Sequence, residues 1–278
     1  MKRLYLQYSL FPLAINQQYM QRCLELAKKG AGYVAPNPMV GAVLVHEGRI
    51  IGEGWHQRYG EAHAAVNCIA SVKEEDKSLL STSTLYVSLE PCVHFGKTPP
   101  CTDLIIQYKI PKVVIGCRDP FEEVNGKGIE KLQAAEVEVI LASGELEKEC
   151  IALNKRFFTF HTKRRPYIIL KWAETGDGKI SAISSERLLI SNDYSNRLVH
   201  KWRSEEAAIL VGTNTALSDD PELTTRLWEG PSPTRLVIDK ELKLPVSLKL
   251  FNQKIKTIVF NNKKQEEQEN LIYYKLEK

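Results

Sequence analysis

Residues 84–92 are TLYVSLEPC, a strand-like run that ends directly in a Glu-Pro-Cys tripeptide. Beyond them the pattern predicts a helix over residues 102–108, a strand over 112–117, a helix over 126–135 and a strand over 137–141. Strands that alternate with helices require crossover connections, and these build a largely parallel sheet with helices on its faces. The sequence therefore predicts a three-layer α/β domain around this first strand.

The residues before this strand predict a helix and a hairpin. Asn16 can cap a helix that Gly30 ends, because apolar side chains between them recur at helical spacing. Two short runs, over residues 40–46 and 50–55, flank a Glu-Gly turn as in a β-hairpin, and residues 62–69 are helical in character. These elements complete the amino-terminal part of the same domain.

The chain is long enough for two domains, and we predict that both are α/β. Residues 16–162 form the first, which a helix over residues 145–160 ends. Residues 1–15 precede it as an extension, residues 163–166 serve as a basic, proline-containing linker, and residues 167–278 form the second domain. The predicted elements of the second domain are a helix over residues 193–203 and strands over 167–172, 208–212, 235–239, 257–260 and 271–278.

The composition is that of an ordinary globular protein, with 43% hydrophobic and 26% charged residues. The formal net charge of +4 is spread along the chain without a block of like charge, so we expect no nucleic-acid partner. No apolar run approaches the ~20 residues that cross a bilayer, so we expect no membrane partner. Six unevenly spaced cysteines without a convincing secretory signal indicate reduced thiols and a cytoplasmic protein. A homo-oligomer is expected, because sheet-and-helix proteins of this size often pair.

Three residues of the first domain form a candidate metal site: His63 and Cys101, each at the start of a predicted helix, and Cys92, just after a strand. Each alone is compatible with an ordinary core or hydrogen-bonded role. One imidazole and two thiolates together match a zinc site with three protein ligands, whose fourth position stays free for water. Helix starts favour thiolates because their N–H groups and dipole stabilise negative charge. The residues favour a zinc centre that acts on water, with a metal-free cysteine core as the alternative.

The order of these ligands is typical of zinc deaminases. Such enzymes carry a His-x-Glu element followed by Pro-Cys-x-x-Cys, and the Glu moves protons without binding the metal. Here the first element is His63-Ala64-Ala65, and an insertion that includes residues 94–100 separates Cys92 from Cys101. The ligand types of a deaminase are therefore present, but a methyl group stands where the proton-carrying carboxylate is expected.

The motifs of both halves resemble those of the bifunctional deaminase and reductase family of riboflavin biosynthesis. In the first half the matching segments are residues 35–38, 40–41, 60–66, 89–92, 96–101, 119–120 and 126–128. In the second half they are residues 171–173, 177–179, 212–213, 219–221, 223–224, 226 and 237–239. The resemblance implies a three-layer cytidine-deaminase-like domain followed by a partial dihydrofolate-reductase-like α/β domain.

The resemblance also implies a substrate, a diaminopyrimidinone that carries a ribosylamino 5-phosphate. The first domain would replace one exocyclic amine by a carbonyl, and the second would reduce the ribose to a ribityl chain with NADPH. The implied residues are His63, Cys92 and Cys101 for Zn2+, then Asn37, Arg203, Leu223 and Arg226 for the phosphorylated pyrimidine, and Ala173, Thr215 and Asp219 for NADPH. An amide donates and accepts hydrogen bonds, and a guanidinium binds phosphate through paired donors, so both suit these roles.

Ala65 departs from the family, which has Glu at this catalytic position. A general acid–base group typically contributes ~10² to 10⁴ in rate, so we expect deamination by this chain to be severely impaired. The substitution is either engineered or a natural loss. Rescue by Glu61 would require the helix to extend back to that residue, and we expect an exposed loop carboxylate instead.

Three functional interpretations stay open. The first is an enzyme of the riboflavin pathway, whose reductase half is expected to be partial because family members continue for roughly one hundred residues more. The second is a zinc-stabilised module that binds the phosphorylated pyrimidine without turnover. The third, a nucleic-acid base deaminase, is disfavoured because no basic stripe with interleaved aromatic residues is visible.

Overall fold

The computed structural model describes residues 16–96, 99–180 and 190–277, and these form two compact units. The first unit comprises the described part of Met1–Gly30 together with Pro36–Tyr167, and the second comprises Ala31–Ala35 and the described part of Ile168–Lys278. The extension predicted over residues 1–15 lies outside the described residues. No helix within the described ranges has both the length and the apolar character needed to span a bilayer.

The first unit is a sheet of five strands connected mainly by helices. Its elements are α1 (Gln17–Lys28), β1 (Gly41–His46), β2 (Arg49–Trp55), α2 (Ala64–Ala70), a 3-10 segment (Glu74–Thr82), β3 (Thr84–Val87), α3 (Cys101–Gln107), β4 (Lys112–Ile115), α4 (Lys127–Ala134), β5 (Glu138–Leu141), α5 (Glu145–Leu153) and α6 (Lys155–Lys163). The strand order is β2-β1-β3-β4-β5. β1 pairs antiparallel with β2 and β3, whereas β3, β4 and β5 are parallel. The predicted hairpin and the alternation of strands with helices are confirmed.

Helices cover both faces of this sheet. Alternate residues of a strand point to opposite faces, and in β1 Ala42 and Leu44 join one buried cluster whereas Val43 and Val45 join another. The first cluster contains side chains of α2, α3 and α4, and the second contains side chains of α1 and α5. The expected three-layer α/β architecture is therefore confirmed.

The single helix predicted over residues 145–160 is wrong, because two helices meet there at Asn154. Asn154 is buried and has φ −104° and ψ 27°, away from the helical region. Its Oδ1 accepts a hydrogen bond from the Met39 N–H at 2.8 Å, and its Nδ2 donates to the Met39 carbonyl at 2.8 Å. Asn154 thus interrupts the helix and holds the chain that leads into β1.

The second unit is also α/β. Its elements are α7 (Asp193–Glu205), β6 (Ala208–Gly212), α8 (Thr213–Asp219), β7 (Thr234–Ile238), a 3-10 segment (Lys249–Phe251), β8 (Thr257–Asn261), β9 (Glu266–Glu267) and β10 (Leu271–Lys275). The sheet order is β6-β7-β8-β10-β9, and every pair is parallel except β10 with β9. The sequence did not predict α8, because a helix of seven residues is too short to establish a clear hydrophobic period.

The strand predicted over residues 167–172 is wrong, since the structure has neither strand nor helix there. Ile168, Leu170 and Trp172 are 64%, 78% and 65% exposed. A strand requires backbone partners on a neighbouring strand, and within the described ranges no strand pairs with this segment. The apolar side chains of these residues favour a strand, but no neighbouring strand within the described ranges pairs with their backbone.

Gly54 sets the distance between β2 and α2. A Cβ atom at this position would lie 2.7 Å from the Ala64 carbonyl oxygen and closer still to the backbone of Cys68. Backbone atoms of a helix cannot move aside as a flexible side chain can, so only glycine permits this approach. Because α2 begins directly after His63, the same contact helps to position that imidazole.

We expect Gly54→Ala to destabilise the first unit by about 1–3 kcal/mol, the usual cost of extra volume in a closely packed site. The measurement is the urea midpoint followed by circular dichroism. Gly212→Ala is the matched control, because a Cβ there meets no atom within 4 Å. Equal midpoints for the two variants would contradict the packing argument.

Candidate functional site

Three ligand-type side chains from separate segments meet in the first unit. His63 Nδ1 lies 3.4 Å from Cys92 Sγ and 3.4 Å from Cys101 Sγ, and the three ligand atoms all lie within 4.8 Å of one another. Zinc bonds of about 2.3 Å to sulfur and about 2.0 Å to nitrogen in tetrahedral geometry place N and S about 3.5 Å apart. The three residues predicted as ligands are therefore brought together at distances that fit zinc.

The fold closes the start of α3 onto the segment after β3. The carbonyl of Cys92 accepts a hydrogen bond from the Thr102 N–H at 3.2 Å. The Cys101 N–H donates to Cys92 Sγ at 3.3 Å. Backbone hydrogen bonds therefore hold the two sulfurs side by side, and one of them already stabilises negative charge on Cys92.

The two thiols differ in acidity because they contact each other. The pKa of Cys92 is lowered, chiefly by a hydrogen bond from the Cys101 side chain and further by His63 and the Cys101 N–H. The pKa of Cys101 is raised well above its ordinary value, first because of the interaction with Cys92 and then because of burial. A zinc ion between the sulfurs would remove this difference in acidity, because zinc binds both cysteines as thiolates. The pair thus suits a metal better than a metal-free core.

Ala65 lies in the first turn of α2, two residues after His63, and is 3% exposed. Its methyl group belongs to the buried cluster that includes Cys101 and can neither accept nor donate a proton. Glu61 is exposed and precedes α2, so it does not share the helical face of Ala65. Neither position supplies a carboxylate from this helix.

Asn37 is oriented by a buried histidine beside the metal ligands. Its Nδ2 lies 3.1 Å from His56 Nε2, and His56 Nδ1 lies 3.1 Å from the carbonyl oxygen of Ala62. A carbonyl only accepts hydrogen bonds, so Nδ1 carries the proton and Nε2 accepts from Asn37. Burial lowers the pKa of His56, which favours this neutral form. The His56 ring also lies edge-on to the His63 ring, with centroids 5.3 Å apart.

Glu90 joins the segment that carries Cys92 to the loop before α4. Its Oε2 accepts hydrogen bonds from the N–H groups of Asp119 at 3.2 Å and Gly126 at 3.0 Å. Its Oε1 accepts from Gly128 at 3.0 Å and Ile129 at 3.3 Å. Four donors satisfy this carboxylate although it is only 4% exposed.

The second unit places Arg203 and Arg226 around one histidine. His200 Nδ1 accepts a hydrogen bond from the Arg226 N–H at 2.8 Å, and Arg203 Nη1 donates to the Thr224 carbonyl at 3.1 Å. Burial, followed by the charge of Arg226, lowers the pKa of Arg203. The Nε of Arg203 is buried and has no hydrogen-bond partner among the described residues. This arrangement suits an anion.

The remaining predicted residues lie at different places in the second unit. Leu223 has φ 55° and is 4% exposed, which leaves chiefly its main chain for a ligand. Thr215 and Asp219 are exposed and one helical turn apart on α8, so they share a face. Ala173 is half-buried in the irregular segment that precedes residue 181. The structure thus places two of the predicted cofactor residues on one helical face. Their contact with NADPH stays a prediction.

Sequence reasoning gave no separate role to His56, Glu90 or Asp119. Glu90 and Asp119 lie inside segments that the family resemblance had singled out, so their positions carried a signal that was not used. His56 follows β2 without a motif around it. Its contact with Asn37 depends on tertiary structure and has no local signal.

Known proteins resemble this chain over most of its length. The riboflavin biosynthesis protein RibD of Aquifex aeolicus is 45% identical over 259 residues, which are 92% of this chain and 71% of that protein. The chain belongs to the RibD family. RibD of Actinobacillus pleuropneumoniae is 42% identical over 247 residues, which are 86% of this chain and 64% of that protein. The chain therefore spans about two thirds of the length of these RibD relatives.

Family models and solved structures agree with this assignment. Residues 14–117 match the cytidine and deoxycytidylate deaminase zinc-binding region, and residues 166–274 match the RibD C-terminal domain. A Thermotoga maritima diaminohydroxyphosphoribosylaminopyrimidine deaminase/5-amino-6-(5-phosphoribosylamino)uracil reductase superposes with a TM-score of 0.83 at 43% identity, covering 91% of this chain and 71% of that one. RibD of Acinetobacter baumannii superposes with a TM-score of 0.84 at 32% identity, covering 94% of this chain and 74% of that one.

The chain therefore has the two-domain fold of the RibD family, a cytidine-deaminase-like domain followed by a dihydrofolate-reductase-like one. Its domains are the zinc-binding deaminase and the NADPH-binding reductase domains of riboflavin biosynthesis. The fold class, the family and both cofactors expected from the sequence are confirmed. The roles of individual residues stay predictions.

We expect one zinc ion per chain, and we expect Cys92→Ser and Cys101→Ser each to weaken zinc binding by more than about 100-fold, because each removes a thiolate ligand. Competition with a chromophoric chelator measures the affinity. Cys150→Ala is the control, since that buried thiol belongs to the opposite face of the sheet. Unchanged affinity in either serine variant would remove that cysteine from the ligand set.

Proposed function

We propose that the first unit binds a phosphorylated diaminopyrimidine beside a zinc ion and that the second unit binds the same class of compound with NADPH. Membership of the RibD family supports this substrate class. The observation that carries the proposal is the meeting of His63, Cys92 and Cys101 at distances suited to zinc. These residues would hold the metal, which when bound would supply an activated water molecule as the nucleophile.

Deamination of the pyrimidine is a hydrolysis. The oxygen of water forms a bond to the ring carbon that carries the exocyclic amine, the carbon–nitrogen bond breaks, and ammonia leaves a carbonyl behind. A proton must therefore pass from the attacking water to the leaving nitrogen. Asn37, held by His56, is suited to orient the substrate because an amide both donates and accepts hydrogen bonds.

Ala65 deprives this site of the carboxylate that family members use for that transfer. The rest of the site is kept: the metal ligands converge, Asn37 is oriented and the helix bearing Ala65 is ordered. Loss of the proton carrier without loss of the binding groups lowers the rate of the chemical step more than it lowers affinity. The proposed first unit is therefore a binding-competent deaminase with impaired turnover.

The second unit is proposed to bind the ribosyl phosphate through Arg203 and Arg226. The Nε of Arg203, which has no hydrogen-bond partner in the described part of the chain, supports this assignment, because a buried donor without an acceptor is costly unless a ligand supplies one. Leu223 contributes its main chain, and Ala173, Thr215 and Asp219 contact NADPH. When bound, NADPH would supply the hydride, and solvent the proton, that together reduce the opened ribose to a ribityl chain.

Ala65 also favours a second candidate function. A chain that keeps the metal ligands and Asn37 but lacks the proton carrier could serve as a zinc-stabilised module that binds the pyrimidine without converting it. The two functions differ in one measurable quantity. The module binds substrate with no ammonia release above background, whereas the impaired deaminase releases ammonia slowly.

We expect Ala65→Glu to raise the deamination rate constant kcat by about 10² to 10⁴, because it restores the general acid–base group. The measurement is ammonia release from the phosphorylated diaminopyrimidine by zinc-loaded protein. Glu61→Gln is expected to change kcat little, since that carboxylate is exposed ahead of α2. Full turnover by the unmodified chain, with no gain from Ala65→Glu, would refute the impairment.

We expect Arg203→Gln to weaken binding of ribose 5-phosphate by about 10- to 100-fold, which corresponds to losing a charge-assisted hydrogen bond of about 1.5–3 kcal/mol. Calorimetric titration measures the dissociation constant, with ribose as the uncharged comparison. Arg197→Gln, an exposed position on the same helix, is the control. An equal loss in both variants would point to general electrostatics rather than a phosphate site.

A further inference from the structure

His200 is a buried imidazole in the last two turns of α7, and it contacts the loop that carries Arg226. The ring is 5% exposed. The N–H groups of Arg226 and Leu227 donate to its Nδ1 at 2.8 and 3.3 Å. Its Nε2 lies 3.4 Å from Nη1 of Arg203, which is one helical turn further along α7. The atoms that face the two ring nitrogens are therefore all hydrogen-bond donors.

These contacts decide which ring nitrogen of His200 carries the proton. A nitrogen that accepts from two main-chain N–H groups is unprotonated, so the proton of the neutral ring is on Nε2. Burial, followed by the charges of Arg203 and Arg226, lowers the pKa of His200, which favours the neutral form. Nε2–H then faces Nη1 of Arg203, another donor, and no acceptor from a described residue meets it. His200 thus holds a buried donor without an acceptor.

Arg203 presents a second unsatisfied donor on the same face of α7. Its Nη1 donates to the Thr224 carbonyl at 3.1 Å, which orients the guanidinium. Its Nε is buried, and no residue in the described part of the chain accepts from it. A buried donor without an acceptor is costly, and most buried polar groups in proteins have a partner. Two such donors side by side indicate that an acceptor comes from outside the chain.

The charge of this cluster favours an anion as that acceptor. Arg226 is paired with Glu222, with 2.9 Å between Nη1 and Oε2. Arg203 has no such carboxylate among the residues that the structure describes. A neutral imidazole beside an unpaired guanidinium leaves a positive charge to be balanced. The oxygens of a phosphate group both balance this charge and accept hydrogen bonds.

One ligand oxygen can accept from both side chains. Nε2 of His200 and Nη1 of Arg203 are 3.4 Å apart, so an oxygen can lie about 2.9 Å from each, a normal hydrogen-bond length. Nη1 carries two hydrogens, and only one of them is donated to the Thr224 carbonyl. The second hydrogen of Nη1 and the hydrogen on Nε2 are therefore both available to the same oxygen.

We infer that His200 binds the phosphate of the substrate directly. Its Nε2–H donates to a phosphate oxygen that also accepts from Arg203, and its Nδ1 holds the loop that carries Arg226. The same ring thus forms part of the phosphate site and orders the loop beside it. This inference rests on the proposed binding of a ribosyl phosphate by the second unit.

Two amide variants separate the two roles of the ring. His200→Asn can place an oxygen at the position of Nδ1 but has no donor at the position of Nε2. His200→Gln can place its amide nitrogen at the position of Nε2 but leaves the N–H groups of Arg226 and Leu227 without their acceptor. His200→Asn therefore tests the phosphate contact, and His200→Gln tests the loop contact.

We expect His200→Asn to weaken binding of ribose 5-phosphate by about 10-fold or more, as for loss of a hydrogen bond to a charged group, with little change in the urea midpoint. We expect His200→Gln to keep the dissociation constant within about 3-fold while lowering the urea midpoint, because two main-chain donors lose their acceptor. Calorimetric titration measures the dissociation constant, and tryptophan fluorescence follows unfolding in urea.

The outcomes separate this inference from the proposed function. If the unmodified chain binds ribose 5-phosphate no more tightly than ribose, the proposed phosphate site fails, and the inference fails with it. If Arg203→Gln weakens binding but His200→Asn does not, the phosphate site stands and His200 is not part of it. Equal losses of affinity in His200→Asn and His200→Gln would show that the ring acts only by holding the loop, which also overturns the inference.

A second readout follows His200 in the unmodified chain. Two-bond proton–nitrogen correlation spectra of protein with isotope-labelled histidine show which ring nitrogen is protonated. We expect the proton of His200 on Nε2, and we expect the Nε2 resonance to shift when ribose 5-phosphate, but not ribose, saturates the chain. A proton on Nδ1, or an Nε2 resonance that ribose 5-phosphate leaves in place, would contradict the proposal.

Discussion

The arrangement of the first unit depends on one requirement. One nitrogen and two sulfurs from three separate segments must lie within a single coordination sphere. His63 precedes α2, Cys92 follows β3 and Cys101 begins α3, so the sheet and two helices must be in register before the atoms can meet. Metal binding to such a site contributes directly to folding stability, because the unfolded chain holds no preformed set of ligands. The neighbouring polar contacts serve the same geometry.

Two buried side chains outside the ligand set hold that geometry together. Glu90 gathers four N–H groups from residues 119–129 and so fastens this loop to the segment that carries Cys92. Asn154 clamps the main chain of Met39, two residues after Asn37. Each of these two side chains hydrogen-bonds to main-chain groups where an element ends and regular backbone pairing stops. The residues around the metal are therefore positioned by polar contacts as well as by the hydrophobic core.

The sequence predicted what depends on local pattern and missed what depends on a distant partner. The strands and helices around Cys92 and the three metal ligands followed from periodicity, spacing and family resemblance. The break at Asn154 was missed because its cause is Met39, more than a hundred residues away. The strand over residues 167–172 was predicted in error because its side chains suit a strand, yet no described strand pairs with it. The hydrogen bond between His56 and Asn37 likewise has no signal in the sequence around either residue.

The coordination shell of zinc tests the central claim most directly. X-ray absorption at the zinc edge, on the full chain loaded with one equivalent of zinc, resolves sulfur from lighter ligands by bond length. The account predicts two sulfurs at about 2.3 Å and one imidazole nitrogen at about 2.0 Å, with the remaining position taken by an oxygen. A shell of four sulfurs, or one of nitrogen and oxygen alone, would contradict the convergence of His63, Cys92 and Cys101 on one ion.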